Sequence, residues 1–174
     1  MTQDVRRRRR ARAGAGVLVM ATVAAFVATF MTTFVATGAA AADPPPVPYP
    51  KGYREWTHVK SMVIQPGHAL YDAFGGIHHL YANAKALAGY RAGGKFADGA
   101  VIVFDLLEAR SADHAVQEGA RKVVGVMVKD ARRYAATGGW GFEGFKGDST
   151  TERAVGANAA AACYACHTAR KDND

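Results

Sequence analysis

Cysteine is scarce in this chain, which has only Cys163 and Cys166 among its 174 residues. A structural zinc site needs four thiol or imidazole ligands at compatible spacing, and there is no second cysteine pair to supply them. A thioredoxin-like pair usually opens a helix after a strand, whereas these cysteines follow an alanine-rich stretch near residue 174. Zinc binding and thiol redox exchange are therefore disfavoured.

Proline is also scarce, with six residues in the chain. Five of the six prolines lie in Pro44–Pro50, which predicts a stiff, polyproline-like lead-in. The sequence shows no internal repeat, and the roughly 130 residues after position 42 suit one domain with one core. We therefore predict a single domain over residues 43–174.

Acidic residues are fewer than basic ones, 15 against 22, and the formal net charge is +7. Residues 1–42 contain six of the arginines and one aspartate, so the remainder carries a net charge of only +2. The basic excess is thus confined to the N-terminal segment. It does not indicate nucleic acid or an anionic membrane as a partner.

That segment has the pattern of an export signal. Arginines cluster over Arg6–Arg10, an apolar run extends over Val17–Thr37, and the small residues Gly38–Ala42 follow. We predict a signal peptide over residues 1–42, cleaved at its last residues, and a periplasmic or otherwise exported protein. The apolar run is 21 residues long, enough to span a bilayer, so an uncleaved membrane anchor is the alternative.

The two cysteines belong to the motif C-x-x-C-H at Cys163–His167. This motif is the attachment site of a c-type haem. The thiols of Cys163 and Cys166 add to the haem vinyl groups as thioethers, and the imidazole of His167 ligates the iron. In a helix of about 100° per residue, the three side chains share one face. We predict one covalent haem c per chain and no disulfide.

The remaining patterns favour an α+β fold, with a mainly antiparallel sheet, flanking short helices and a C-terminal haem-binding helix. Segments rich in β-branched and aromatic residues, separated by turn residues, predict the strands. The predicted strands cover 58–64, 77–82, 100–107, 122–129 and 140–145. The predicted helices cover 83–90 after an Asn cap, 130–136, and 153–162 leading into the haem motif.

Several side chains on these strands are candidates for the haem pocket. Alternation places Ile102 and Phe104 on one face of their strand. Gly125 interrupts a β-branched strand, which indicates close approach of a flat group such as a porphyrin, or else a bulge or a tight core contact. Met62 and Met127 are candidates for a sixth iron ligand, although methionine at such positions more often belongs to the core.

An ordered set of segments carries a resemblance to a known family. The segments are YPKGYREW at 49–56, FADGAVIV at 96–103, VKD at 128–130, YA at 134–135, WGF at 140–142 and CYACH at 163–167. In this order they resemble the cytochrome P-460 family, which includes the cytochromes c′-beta, over about 49–168. The resemblance implies a β-rich homodimer with a five-coordinate haem, ligated by histidine on one side and open on the other.

The same resemblance implies roles for residues of the distal pocket. Enzymatic members of the family oxidise hydroxylamine with a lysine cross-linked to the porphyrin and a carboxylate that relays protons. Here Phe104 matches the lysine position and Gly125 matches the carboxylate position, and neither can perform that chemistry. The cytochromes c′-beta cap the open iron face with two phenylalanines, which Phe104 and Phe74 match. Phe74, Phe104 and Gly125 are therefore the expected pocket residues.

We accordingly expect a haem protein that binds nitric oxide or carbon monoxide in a hydrophobic pocket, with a redox partner protein as a further partner. A hydroxylamine-oxidising enzyme is the first alternative and would need another lysine, such as Lys60 or Lys129. A six-coordinate electron-transfer cytochrome is the second and would need Met62 or Met127 on the iron. An enzyme is the less favoured class.

Overall fold

Five antiparallel strands, hydrogen-bonded in chain order, form the single sheet of the described residues, 46–173 of this computed structural model. The strands are β1 Thr57–Ile64, β2 Gly76–Ala82, β3 Val101–Ala112, β4 Ala115–Lys129 and β5 Trp140–Lys146. Short helices join or follow them: α1 Tyr71–Phe74, α2 Ala84–Arg91 and α3 Ala165–His167. The α+β prediction with an antiparallel sheet is confirmed. The predicted leader, 1–42, lies outside the described residues.

All five predicted strands are present, and two of them are longer than predicted by several residues. β3 continues to Ala112 and β4 begins at Ala115, so a two-residue turn with positive φ at Asp113 (50°) and His114 (61°) connects them. Beyond Leu107 and before Val123, no third strand within residues 46–173 pairs with β3 or β4. This arm is exposed on both sides, so its sequence lacks the apolar alternation that predicts a strand.

The predicted helix after an Asn cap is confirmed as α2, where Asn83 Oδ1 accepts a hydrogen bond from the Ala86 N–H at 2.8 Å. The expected helix over 130–136 is wrong. There the Asp130 carboxylate accepts bonds from the backbone N–H groups of Arg132 and Arg133, which favours a turn. Only a 3₁₀ turn, Ala135–Thr137, follows.

The predicted helix over 153–162 is confirmed only from Gly156 onward. Arg153 instead forms an isolated bridge with Phe145, and helical structure starts with a 3₁₀ turn at Gly156–Asn158. A π turn, Ala160–Tyr164, then leads into α3. Within residues 46–173, no helix combines the length and the apolar character needed to cross a membrane.

The sheet has two faces, which we name after neighbouring residues of β3. The Asp105 face packs on a buried cluster of Val47, Tyr53, Val103, Val124, Val126, Tyr134 and Phe145. The Phe104 face carries a second cluster of Ala82, Ala86, Ala100, Ile102, Trp140 and Phe142. Cys163 and Tyr164 pack against this second cluster, so the haem motif lies over the Phe104 face.

Asp105 is fully buried on the Asp105 face of the sheet. Three side chains bind its carboxylate. Tyr53 Oη donates to its Oδ2 at 2.7 Å, Arg54 donates to the same oxygen at 3.0 Å, and Arg121 Nε donates to Oδ1 at 2.7 Å. The Arg121 side chain is only 14% exposed. Burial, together with the hydrogen bond to Asp105, raises the pKa of Tyr53 far above its usual range. The network joins the segment before β1 to β3 and β4.

We predict that Asp105→Asn lowers the free energy of unfolding by about 3–5 kcal/mol, because it removes the buried partner of Arg121 and leaves only the exposed Asp148 as its counter-charge. Arg54→Gln is the matched control. Since half of the Arg54 side chain is exposed, its loss should cost no more than about 1 kcal/mol. Denaturant unfolding of the haem-loaded protein measures both values, and equal losses would contradict a role for the buried charge.

Candidate haem site

The thiols and the imidazole of the C-x-x-C-H motif lie in consecutive helical turns at the end of the described chain. Cys163 is in the π turn and is half-buried, while Cys166 and His167 belong to α3 and are exposed. Both cysteines are free thiols. π turns are rare and are frequent at functional sites. Two free thiols and an imidazole within five residues are the donor set that a covalent haem requires.

The surroundings of Cys163 and His167 favour their uncharged forms. The His167 ring lies 5.1 Å from the Phe142 ring, centroid to centroid, and desolvation lowers the pKa of His167. A neutral imidazole is the form that ligates a metal. Burial raises the pKa of the Cys163 thiol, and the negative charges of Glu143 and Cys166 act in the same direction.

A buried glutamate anchors the segment that leads to the motif. Glu143 of β5 is 4% exposed and lies on the Asp105 face. Its Oε1 accepts hydrogen bonds from the backbone N–H groups of Val155 and Gly156, both at 3.1 Å, and Arg153 donates to its Oε2 at 2.7 Å. Burial opposes its ionisation, but these partners outweigh burial and lower the pKa of Glu143. The carboxylate therefore holds the chain where it turns toward the haem motif.

Sequence reasoning did not identify Glu143. The available signal is a carboxylate between Phe142 and Phe145 in a strand segment rich in aromatic residues. Carboxylates are almost never fully buried unless they are paired, so a glutamate at that position indicates a buried partner. Its partner, Arg153, was assigned to a helix, which concealed the pairing.

A cavity of about 150 Å³ lies between the sheet and the haem motif. It is lined by Met127, Gly138, Trp140, Phe142, Tyr164, His167, Arg170 and Lys171. Trp140 is 4% exposed, and its Nε1–H has no hydrogen-bond partner within residues 46–173. A haem carries two carboxylates and a flat apolar ring. An unpartnered indole N–H, two cationic side chains and aromatic walls therefore fit that group.

The predicted pocket residues Phe74 and Phe104 lie together. Their ring centroids are 6.0 Å apart at an interplanar angle of 73°, an edge-to-face contact. Phe104 pairs with Gly125 across β3 and β4, and a Cβ on Gly125 would lie 2.8 Å from Phe104 Cδ1. No register shift occurs at Gly125. The bulge interpretation is therefore wrong and the tight contact is confirmed, while approach of a porphyrin to Gly125 stays a prediction.

The aromatic pair and the haem motif share the Phe104 face. Gly125 pairs with Gly144 across β4 and β5, so neither strand presents a side chain on that row between Phe104 and the C-terminal segment. A Cβ on Gly144 would meet Ala154 at 3.3 Å and Val155 at 3.4 Å. The Phe104 ring and the segment at Ala154 and Val155 therefore occupy the space above the two glycines.

The methionines and lysines that the alternative functions require lie in two parts of the fold, near the cavity and on the edge strand. Met127 lines the cavity with His167, and the Lys129 ammonium lies 5.0 Å from the centroid of the Trp140 ring. Met62 is 44% exposed on β1, and Lys60, on the same strand, is also exposed. The fold therefore brings Met127 and Lys129 to the neighbourhood of the cavity and leaves Met62 and Lys60 on the edge strand.

Comparison with known proteins agrees with this site. A search of curated proteins found no significant match. The family model described as cytochrome P460 matches residues 50–174, which include the whole sheet and the C-x-x-C-H motif. The family supports the haem cofactor inferred from that motif. This chain belongs to the cytochrome P460 family, since the match covers more than half of the chain.

Proposed function

We propose that this protein is a c-type cytochrome that binds nitric oxide or carbon monoxide on a five-coordinate haem. Cys163 and Cys166 attach the haem covalently, one group per chain, and His167 ligates its iron. The contact between Phe74 and Phe104, on the sheet face that also carries the haem motif, is the observation that supports this proposal most directly.

Each protein group has a simple physical task in this proposal. Desolvation lowers the pKa of His167, which favours its neutral, ligating form, and in this proposal His167 holds the haem from the proximal side. The rings of Phe74 and Phe104 provide no N–H or O–H donor, so they disfavour water, anions and bulky molecules more than a small uncharged gas. When bound, the haem supplies the iron that coordinates the gas.

The residue types at two positions favour gas binding over hydroxylamine oxidation. Phe104 stands where the family resemblance places the cross-linking lysine, and Gly125 stands where it places the proton-relaying carboxylate. Of the two lysines that the enzyme alternative could use, Lys129 lies near the cavity, but its ammonium lies over the Trp140 ring and donates to the Gly138 carbonyl at 3.3 Å. A cross-link would require the loss of both contacts.

We also propose export and self-association. The arginine-rich, apolar segment over 1–42 supports export to the periplasm, with membrane anchorage as the alternative. The edge strand β1 leaves Val59, Met62 and Val63 between 37% and 46% exposed. A homodimer that covers this edge would remove that apolar area from water. A redox partner protein would maintain the ferrous state.

The visible spectrum of the haem-loaded ferrous protein, before and after nitric oxide, tests the proposed function. We expect a high-spin spectrum with an ordinary Soret band that changes on adding nitric oxide, because the sixth position is open. A strongly red-shifted Soret band would indicate cross-linked haem and favour the enzyme. Sharp low-spin bands indifferent to nitric oxide would indicate a sixth ligand such as Met127 and an electron carrier.

A second prediction concerns the size of the aromatic cap. Phe104→Leu should raise the affinity for a bulky neutral ligand such as an alkyl isocyanide about tenfold, equivalent to about 1.4 kcal/mol, because it removes the ring that Phe74 contacts. Phe96→Leu is the matched control, since Phe96 packs on Trp140 away from the cap. Equal affinities of the two variants in an isocyanide titration would refute the cap.

A further inference from the structure

The cap residue Phe74 is held in place by two side chains from different strands. His78 Nε2, on β2, hydrogen-bonds the Phe74 carbonyl oxygen, and Lys122 Nζ, on β4, donates to the Gly75 carbonyl oxygen at 2.8 Å. The His78 ring also contacts the Phe104 ring, with centroids 4.7 Å apart. His78 therefore touches both halves of the cap, through the Phe74 backbone and the Phe104 ring.

These hydrogen bonds determine where the His78 proton lies. A carbonyl oxygen only accepts, so Nε2 carries the hydrogen and Nδ1 of the neutral ring carries a lone pair. His78 is 1% exposed, and its Nδ1 is buried with no hydrogen-bond partner within residues 46–173. A second proton on Nδ1 would create a buried charge with no acceptor for its N–H.

We propose that neutral His78 is the positioning residue that keeps the aromatic cap closed, and that protonation of His78 opens the cap. The consequence for gas binding rests on the function proposed above. The predicted movement of the Phe74 segment does not depend on that function.

Among the causes that shift the pKa of His78, only the Phe74 carbonyl favours a second proton on the ring. Burial is the largest cause that lowers its pKa, and the positive charge of Lys122 and the neighbouring His79 add to it, while the Phe74 carbonyl acts in the opposite direction. Its cross-strand partners Met62 on β1 and Leu106 on β3 are uncharged. The closed cap is therefore fully stable above the ordinary imidazole pKa of about 6.5 and loses stability as the pH falls below it.

The segment that carries Phe74 is the part of the cap that can move. α1 is a single turn of four residues, and the Phe74 side chain is 37% exposed. Gly76 follows with φ 134°, a conformation that suits glycine. Displacement of Phe74 and Gly75 would break the bond to Nε2 and let water reach that side of the His78 ring, whereas Phe104 lies in the interior of β3 and is held by pairs on both sides.

The test is the pH dependence of carbon monoxide association with the ferrous haem-loaded protein after flash photolysis. We expect the association rate to rise several-fold as the pH falls below about 6.5. His78→Gln keeps an N–H donor for the Phe74 carbonyl but cannot titrate, so it should show the slow rate at every pH. His78→Leu lacks the donor and should be fast at every pH. A flat wild-type profile, or a wild-type profile in His78→Gln, would overturn the proposal.

Two further variants separate this effect from effects of surface charge, and His78→Gln separates it from titration of the iron ligand. His114→Asn removes an exposed histidine on the turn of the arm and should leave the wild-type profile unchanged. Lys122→Met releases the Gly75 carbonyl and removes a positive charge near His78, so it should raise the rate and shift the profile to higher pH. Since His167 is present in His78→Gln, a flat profile there excludes titration of the iron ligand as the cause.

Hydrogen exchange of the peptide that contains Phe74–Gly76 supplies a readout that needs no gas. The ratio of exchange rates, wild type over His78→Gln at each pH, should rise as the pH falls. A rising ratio in a protein that binds neither gas would keep this inference and refute the proposed function. Gas binding with a constant ratio would refute this inference and keep the proposed function.

Discussion

The register in which β3 pairs with β4 places Phe104 opposite Gly125 and Asp105 opposite Val124. A shift of one residue would exchange the two faces and bury the Phe104 ring where the Asp105 carboxylate now meets its arginine. The pairing is sharply defined because the two side chains need opposite surroundings. Asp105 needs Tyr53 and Arg121, and Phe104 needs the space that a glycine leaves. The site on the Phe104 face depends on this register.

Attachment of the haem motif to the sheet uses both faces. Cys163 and Tyr164 pack on the apolar cluster of the Phe104 face, while Glu143, whose side chain lies on the opposite face, binds the backbone N–H groups of Val155 and Gly156. The apolar contacts have little directional preference, but the hydrogen bonds to a buried carboxylate do. Glu143 therefore orients a segment that hydrophobic packing alone would leave free to slide.

Much of the fold could be predicted from local pattern. The β-branched and aromatic runs of the five strands and the Asn83 cap of α2 are local signals, and they were sufficient. The arm beyond Leu107 could not be predicted, because it is solvated on both sides and shows no alternation. The helix expected at 153–162 starts only at Gly156, where Glu143, more than ten residues away in sequence, accepts the N–H groups of Val155 and Gly156.

The candidate site likewise combines residues that local sequence predicts with residues that only the fold brings together. Covalent haem attachment needs two thiols and an imidazole within one or two helical turns, so Cys163, Cys166 and His167 must be close in sequence, and the sequence by itself determined them. The residues around the cap come from elements far apart in the chain. Only the tertiary structure decided that His78 and Lys122 hold the turn after Phe74, that Trp140 carries an unpartnered N–H, and that Gly125 accommodates Phe104. Those relations arise from strand pairing, which no short segment encodes.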